Sequence, residues 1–467
     1  MRDTTDMVDQ RTRSRDAIGV LTLVLVYLVS AWPTRIGMVD DAYVSARYAR
    51  LWAAGCGLSY NCVGDPVEGF TNFLWVVLLA PGTVLPVHLA TWATGLGLAF
   101  GALTVVLSWW LARTGGGSPR SAWLGGLLVA ALPAFGVSST NGLETALFTA
   151  LLLLAIARVR TRGVDAGGWC GLLYLVRPEG VLVGGLLAAS TRSWRTIAAW
   201  AGVVGWYFLG RWQWFGTLGP NTWAAQARED AVGMWRMNED YLQSGAPTLV
   251  GFLVLGGLAA FGRSRALVAL AAGLSVLALQ VYNWMPGLRL FVAPMVLIAV
   301  AVVPVLDRRP WAWIPVVAWM LWLQGPQRAV QVRYDQHHTV LPGNGGEALG
   351  DHIRATATAG RWLLIRDAGV TAYYAGPEVN VIDMHPFSLT DPVLTGRPWS
   401  IDHLLGHDVQ FVVTTGRSAD EPIQYTAEKR LLADPRLADF AAAGTWNQHH
   451  RRWYTLFAAQ PGTSALH

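Results

Sequence analysis

Charged residues are scarce in this chain: Asp, Glu, Lys and Arg make up 14% of its 467 residues, while hydrophobic residues make up 53%. A soluble domain carries about 25% charged residues, so the deficit indicates that lipid surrounds most of the chain. The 24 Trp residues agree with this, because indole rings favour membrane interfaces. Three cysteines are too few for a disulfide scaffold. The chain has no basic cluster interleaved with aromatics, so we expect no nucleic-acid partner.

A cleavage site of the small-x-small type is also missing near the N-terminus. Residues 1–16 are polar and hold four arginines. Residues 17–36 form an apolar run of about twenty, which is long for the core of a signal peptide. We therefore expect a retained first membrane span whose basic end lies in the cytoplasm.

Further apolar runs follow along the chain. A helical span needs roughly 20 apolar residues to cross about 30 Å of hydrocarbon. The candidate spans are residues 17–36, 86–112, 121–137, 143–159, 194–213, 247–261, 266–284, 290–306 and 311–323. Placing the arginine-bearing loops between them inside satisfies the positive-inside rule at every turn. The run 71–85 abuts the next span, which indicates either a helix at the outer interface or an extension of that span.

The segment between Arg162 and Arg192 is basic at both ends, so both ends are expected inside. Neither half is long enough to cross alone. We predict a hairpin of two short helices with Arg177-Pro178-Glu179-Gly180 at its tip, because proline breaks a helix. Irregular backbone at membrane depth is tolerated where it is buried in protein or lines a cavity. The hairpin brings the expected total to about eleven membrane helices.

The predicted fold is therefore mainly α, in two parts. Residues 1–324 form a helical membrane domain with a first outer loop at 37–70, and residues 325–467 form an extracytoplasmic α/β domain. In this tail, three short buried strands and two helices are expected. The strands are residues 362–365, 379–382 and 409–414, and the helices are residues 347–358 and 427–442.

The first outer loop is the most informative stretch, because Asp40 and Asp41 stand immediately after the first span. Adjacent carboxylates can share one proton or hold a divalent cation, so one can act as a base while its neighbour tunes it. The alternative is that they only cap the following short helix, which carries Tyr43 and Arg47.

Other polar residues fall on the same predicted side of the membrane or approach it from the hairpin. They are Glu68, Glu144, Arg177, Glu179, Asn221 and Arg289. A charge near the bilayer centre costs about 2.5–3.5 kcal/mol on insertion scales, so such residues usually face a cavity and have partners. For Glu144, Arg177, Glu179 and Arg289, a structural role as ion pair, helix cap or interfacial anchor is the alternative.

Seven short stretches of the chain form an ordered series of motifs. They are Asp40-Asp41-Ala42-Tyr43, Val67-Glu68-Gly69, Gly142-Leu143-Glu144-Thr145, Arg177-Pro178-Glu179-Gly180, Pro220-Asn221-Thr222, residues 287–294 and Asp367-Ala368-Gly369. This series resembles the motifs of the GT-C glycosyltransferases, and most of all those of the branch that contains the mycobacterial terminal arabinofuranosyltransferase AftB. The resemblance spans nearly the whole chain. The first loop departs from the family, which usually has Asn-Pro-Gly where this chain has Asn61-Cys62-Val63-Gly64.

The resemblance implies a multi-pass protein of a bacterial inner (plasma) membrane, with its N-terminus in the cytoplasm and its active site outside. It implies inverting transfer of a sugar, with arabinofuranose as a candidate, from a polyprenyl-phosphate donor to a cell-envelope glycan or glycolipid acceptor. Asp40 would be the base, with Asp41 as the alternative. The donor phosphate would be bound by Arg47, Arg177 and Arg289. Sugar hydroxyls would be bound, or the arginines oriented, by Tyr43, Glu68, Glu144, Glu179 and Asn221.

Four alternatives stay open at this point. A divalent cation at Asp40 and Asp41 is the alternative to metal-free chemistry. Cys56 and Cys62 lie in a loop where oxidation is permitted, and they form either a disulfide or two small buried thiols. A secondary transporter or lipid flippase would also use broken helices and buried charges, although transporters often show two related halves and none is visible here. A non-catalytic scaffold would not need the acidic pair.

Overall fold

The structure is a computed structural model. It describes residues 2–34, 37–221, 231–262, 264–281, 287–327, 339–340, 343, 345–384, 400–449 and 452–459. Contacts divide the chain into two compact units, neither of which is one continuous segment. The first unit is Met1–Ile36, Ala93–Gly205 and Asp230–Gln336, and the second is Gly37–Trp92, Trp206–Glu229 and His337–His467.

The first unit is built from helices. Its helices, two of which continue into the second unit, are Arg2–Ala31, Leu89–Thr114, Pro119–Ala130, Pro133–Thr140, Thr145–Arg160, Ala166–Val176, Gly180–Ser190, Trp194–Phe215, Ala231–Ala260, Arg265–Leu279, Val292–Asp307 and Trp313–Trp322. The helix Val292–Asp307 is buried along most of its length. It is apolar all round, as expected of a central helix, and it packs against several helices, most extensively against four. These are Pro119–Ala130, Thr145–Arg160, Ala231–Ala260 and Arg265–Leu279.

The predicted hairpin is present as two short helices that pack against each other, Ala166–Val176 and Gly180–Ser190. Arg177 takes an extended conformation between them, because the ring of Pro178 disfavours helical backbone in the residue before it. The helices approach so closely at Gly184 that a Cβ there would collide with the carbonyl of Cys170. The helix–break–helix prediction is confirmed.

Length and composition single out fewer membrane-crossing helices than the sequence predicted. Among the described residues, Ser14–Thr34 and Leu89–Thr114 qualify, and a third span results if Pro119–Ala130 and Pro133–Thr140, bent by 54°, are taken together. Six further apolar helices have 10–17 residues. At about 1.5 Å per residue, such helices are shorter than a typical hydrocarbon core. The predicted total of eleven is therefore not confirmed.

One predicted span, and one apolar run with two predicted alternatives, can be compared with the observed helices. The run 121–137 is interrupted after Ala130, because Pro133 begins a new helix. The run 71–85 forms a separate helix, Phe73–Val84, and does not continue into the helix that begins at Leu89. The predicted alternative of an extension of the next span is therefore wrong, and the location of this helix at the outer interface stays a prediction.

The second unit combines first-loop helices with a sheet formed by the tail. Asp40–Ala53 packs against Phe73–Val84, and β1 (Met38–Val39) pairs antiparallel with β2 (Thr339–Val340). The tail helices are Gly345–Thr356, Val370–Ala375, Ile401–Leu404 and Thr426–Leu432. The tail strands are β3 (Trp362–Ile365), β4 (Asn380–Asp383), β5 (Val409–Gly416), β6 (Phe440–His449) and β7 (Arg452–Ala459).

These five strands form one sheet in the order β4-β3-β5-β7-β6. β3 pairs in parallel with both β4 and β5, and β7 pairs antiparallel with β5 and β6. One face packs Leu364, Ile382 and Val412 against leucines of the helices Ile401–Leu404 and Thr426–Leu432. Leu363 and Val413, which alternate with that set, are buried as well, so both faces of the sheet are covered.

The tail predictions are partly correct. The three predicted strands and the helix at 347–358 are confirmed, with ends shifted by a few residues. The predicted helix 427–442 is wrong in its second half, because the helix ends at Leu432 and β6 begins at Phe440. The first-loop residues 37–70 belong to the same compact unit as the tail. The division between membrane and solvent at residue 325 stays a prediction.

Candidate active site

Asp40 opens the helix Asp40–Ala53, where a carboxylate is favoured by the helix dipole. Its side chain also reaches the tail: Oδ2 accepts a hydrogen bond from the backbone N–H of Gly369 at 3.1 Å, and Oδ1 accepts one from Val370 at 2.9 Å. The start of the helix Asp40–Ala53 and the tail segment around Gly369 approach so closely that a Cβ at position 369 would collide with the Asp40 carboxylate. Glycine is therefore required in the Asp367-Ala368-Gly369 motif.

Among the charged groups that affect the pKa of Asp40, Asp367 has the largest effect. It follows β3 and accepts hydrogen bonds from Thr415 Oγ1 at 3.3 Å, Arg452 Nη2 at 3.1 Å and Tyr454 OH at 3.4 Å. Burial, and next the charge of Asp367, raise the pKa of Asp40 to about 7, while Arg452 opposes the rise. A carboxylate with this pKa exchanges protons near neutral pH, as a general base must.

Asp367 lies just after the carboxyl end of β3. β3 leads to β4 on one side and has β5 on the other, so the carboxyl end of β3 is a topological switch point, where ligands bind in open α/β sheets. Glu428 lies near the same edge and binds the backbone N–H of Thr415 at 3.3 Å. Burial raises the pKa of Glu428 to about 7. Asp40, from the first loop, therefore reaches the edge at which a ligand is expected.

The other residues of the acidic helix differ in accessibility. Asp41 is partly exposed beside Asp40, whereas Tyr43 is fully buried against the rings of Tyr373 and Tyr374. Among the described residues, no three His, Cys, Asp or Glu side chains are grouped as a metal site requires. Both Asp40 oxygens already accept backbone hydrogen bonds. A divalent cation at Asp40 and Asp41 therefore stays an untested prediction, and we derive no step through a cation.

The surroundings of Arg47 do not suit its predicted role as a phosphate ligand. Its guanidinium is fully buried and donates to the backbone carbonyls of Tyr60, Ala372, Gly376 and Val379. These hydrogen bonds tie the helix Asp40–Ala53 to the tail and occupy the donors that a phosphate would need. We therefore remove Arg47 from the candidate phosphate ligands.

Glu68 forms a buried ion pair with Arg211. The distances are 2.7 Å from Arg211 Nε to Glu68 Oε2 and 2.9 Å from Arg211 Nη2 to Glu68 Oε1, and Tyr207 OH donates to Oε1 at 3.1 Å. The backbone N–H of Asn221 donates to the carbonyl of Glu68 at 2.9 Å. The structure therefore brings the predicted residues Glu68 and Asn221 together.

Arg211 is absent from the sequence-based candidates, although a signal was present. It lies inside the apolar run 194–213, and an ionisable residue within a predicted span is by default a candidate functional residue.

In the first unit, four predicted residues from three separate segments meet. Arg177 Nε lies 2.9 Å from Glu144 Oε1, and Arg177 Nη1 lies 3.7 Å from Glu179 Oε1. Arg289 Nη2 lies 3.6 Å from the same Glu144 oxygen. Arg177 also donates to Thr145 Oγ1 at 2.9 Å. The hairpin tip is thus joined to the segments that carry Glu144 and Arg289.

The two arginines of this cluster differ in exposure. The side chain of Arg177 is 4% exposed, and that of Arg289 is 17% exposed. Glu144, Glu179 and Thr145 all contact the guanidinium of Arg177. Arg177 is therefore suited to fixing the positions of these side chains. Arg289 is more accessible to a ligand than Arg177. Its guanidinium could bind a phosphate group through paired hydrogen bonds.

The first loop also contains a disulfide between Cys56 and Cys62, which was one of the two predicted alternatives. Cys170, in the hairpin, is a free buried cysteine.

Comparisons with solved structures identify the fold. The chain is similar to ArnT from Cupriavidus metallidurans bound to undecaprenyl phosphate, with a TM-score of 0.57, 16% identity, and coverage of 94% of this chain and 97% of that chain. It is also similar to the oligosaccharyltransferase of Archaeoglobus fulgidus in complex with Zn and sulfate, with a TM-score of 0.50, 11% identity, and coverage of 85% and 67%. No protein-family model matches the chain. No curated protein matches its sequence at a significant level. The chain therefore shares the fold of these two proteins, in agreement with the GT-C fold that its motifs led us to expect.

Proposed function

We propose that the chain is an inverting glycosyltransferase that moves a sugar from a polyprenyl-phosphate donor to an extracytoplasmic glycan or glycolipid acceptor. The observation that carries this proposal is Asp40: a carboxylate with a pKa of about 7 at the switch point of the tail sheet. The fold agrees, because the ArnT structure that matches nearly the whole chain is bound to undecaprenyl phosphate.

In the proposed mechanism, Asp40 accepts the proton of the acceptor hydroxyl as that oxygen attacks the anomeric carbon. The bond between the anomeric carbon and the phosphate oxygen breaks on the opposite face, and polyprenyl phosphate leaves. The Gly369 and Val370 amides stabilise the ionised form of Asp40, whereas burial and Asp367 oppose ionisation. This balance keeps Asp40 basic enough to accept a proton and ionised at working pH.

The departing phosphate carries charge that needs a cation. We assign its binding first to Arg289, because Arg289 is more exposed than Arg177. Arg177 then orients Glu144, which lies within 3.6 Å of Arg289. Preorganised cations of this kind stabilise the charge that develops in the transition state. Arabinofuranose is our candidate sugar, and the cell envelope outside the bacterial inner membrane our candidate location, from the resemblance to the AftB branch.

The test is transfer by the purified full chain from radiolabelled polyprenyl-phosphate sugars, with decaprenyl-phosphoryl arabinofuranose and undecaprenyl-phosphoryl hexose as donors and arabinan and mannan oligosaccharides as acceptors. We expect transfer by the wild type and a loss of at least about 100-fold in Asp40→Asn, the usual contribution of a general base. Asp351→Asn is the matched control, because Asp351 is an exposed tail carboxylate that pairs with the exposed Arg354. It should retain full activity.

Two results would count against the proposal. Equal transfer by the wild type and Asp40→Asn would remove Asp40 as the base. Absence of transfer with all donors, together with movement of labelled polyprenyl phosphate across vesicles that contain the protein, would favour the transporter or flippase.

A further inference from the structure

The first loop contains a segment that is closed covalently. Cys56 is bonded to Cys62 by a disulfide, six residues apart in the sequence. A disulfide restrains a loop by covalent closure. Tyr60 and Asn61, which lie between the two cysteines, are therefore part of a restrained loop.

The closed loop carries two residues that bind the tail. The side-chain amide of Asn61 pairs with β4 in both directions: Nδ2 donates to the carbonyl of Val381 at 2.9 Å, and Val381 N–H donates to Oδ1 at 2.8 Å. β4 is an edge strand of the sheet, so Asn61 provides hydrogen bonds that a neighbouring strand would otherwise make. The hydroxyl of Tyr60 donates to the carbonyl of Ala368.

Ala368 immediately precedes Gly369 and Val370, whose amides bind Asp40. Tyr60 therefore holds the peptide next to the donors that fix the Asp40 carboxylate. Tyr60 and Asn61 are both buried, so their polar groups depend on these partners. A continuous series of contacts runs from the disulfide through Tyr60 and Ala368 to Asp40.

We propose that Tyr60 and Asn61 are positioning residues for Asp40, and that the Cys56–Cys62 disulfide holds them in place, so that full activity requires the oxidised loop. This inference rests on the proposed function of Asp40. Reduction by dithiothreitol breaks the S–S bond: each cysteine sulfur gains a proton, and the reductant becomes its cyclic disulfide. The freed loop then no longer fixes residues 368–370.

The first test measures sugar transfer with and without dithiothreitol. In the wild type we expect kcat to fall about fivefold on reduction, with the KM for donor unchanged, and to recover on reoxidation, since one lost hydrogen bond corresponds to a change of that order. Cys56→Ser/Cys62→Ser should have the lower kcat already and show no response. Cys170→Ala, which removes the third cysteine, should respond like the wild type. Tyr60→Phe should lower kcat, and reduction should add little to its effect.

The second test is hydrogen exchange, which does not depend on activity. Reduction should speed exchange of the amides at Gly369, Val370 and Val381, and leave those of β7 unchanged. Unchanged exchange and kcat, when mass spectrometry shows both thiols free, would overturn the proposal. Faster exchange in a protein in which Asp40→Asn is as active as the wild type would support the restraint and reject Asp40 as the base.

Discussion

The pH dependence of sugar transfer tests the environment of Asp40 most directly. A base acts in its ionised form, so activity should rise with pH through the pKa of Asp40, which is about 7. At pH 6 about 9% of such a group is ionised and at pH 8 about 91%, so kcat/KM should rise about tenfold between these values. The assay is kcat/KM for the acceptor from pH 5.5 to 8.5 at saturating donor.

The structure also fixes the direction in which two tail variants shift this profile. Asp367 raises the pKa of Asp40, so Asp367→Asn should move the rise to lower pH. Arg452 lowers that pKa, so Arg452→Gln should move the rise to higher pH. Asp41 also acts on Asp40 but is unchanged in both variants, and the nearby Tyr43 stays protonated because burial raises its pKa.

A purely structural role of Asp367 and Arg452 would lower activity in both variants without opposite shifts. Asp408→Asn, which removes an exposed tail carboxylate paired with Arg361, should leave the midpoint unchanged. A flat wild-type profile between pH 6 and 8, or a shift of Asp367→Asn to higher pH, would refute the assignment of Asp40 and its surroundings.

Three further predictions follow from the buried charges. Glu68→Gln should destabilise the protein by about 3 kcal/mol or more, because it leaves Arg211 buried without its anion, and Glu68→Gln/Arg211→Met should recover part of the loss in thermal unfolding; an equal or larger loss in the double variant would contradict this. Folding raises the pKa of Glu428 to about 7, above its pKa in the unfolded chain. The contribution of Glu428 to folding stability is therefore fully present below the unfolded-state pKa and is lost as pH rises through 7. Glu428→Gln should therefore raise the melting temperature at pH 8 relative to the wild type, with little gain at pH 5; a gain equal at both pH values would contradict the linkage. Arg289→Gln should raise the donor KM at least about tenfold and leave the acceptor KM unchanged, since one charge-assisted hydrogen bond is worth about 1.5–3 kcal/mol; a change confined to the acceptor KM would reject Arg289 as the phosphate ligand.

Local signals were sufficient for several features of this chain. Pro178, with apolar residues on both sides, predicts the hairpin, because proline interrupts a helix regardless of the surroundings. The runs 362–365 and 409–414 predict strands because short apolar runs rich in branched residues fit a buried sheet. Such features depend on residues that are neighbours in the sequence.

Features that depend on distant partners were not predictable. The start of β6 contains three consecutive alanines, which favour a helix, but pairing with β7 determines its conformation. Arg47 has the charge of a phosphate ligand. Its donors are occupied by the carbonyls of residues 372, 376 and 379, which are far from Arg47 in the sequence. The sequence identifies Arg47 as important without indicating which partner it has.

The same long-range contacts predict what happens when the tail is removed. In a chain that ends at residue 324, Arg47 would lose three of its carbonyl acceptors, and Asp40 would lose both amide donors. A buried guanidinium without acceptors is strongly unfavourable, so the helix Asp40–Ala53 should not keep its position. We expect the shortened chain to show no sugar transfer and to expose residues 40–53 to proteolysis. Arg47→Met in the shortened chain should reduce that proteolysis without restoring transfer, because the Asp40 donors are still missing. Transfer by the shortened chain at the wild-type rate would show that the tail contacts do not position Asp40.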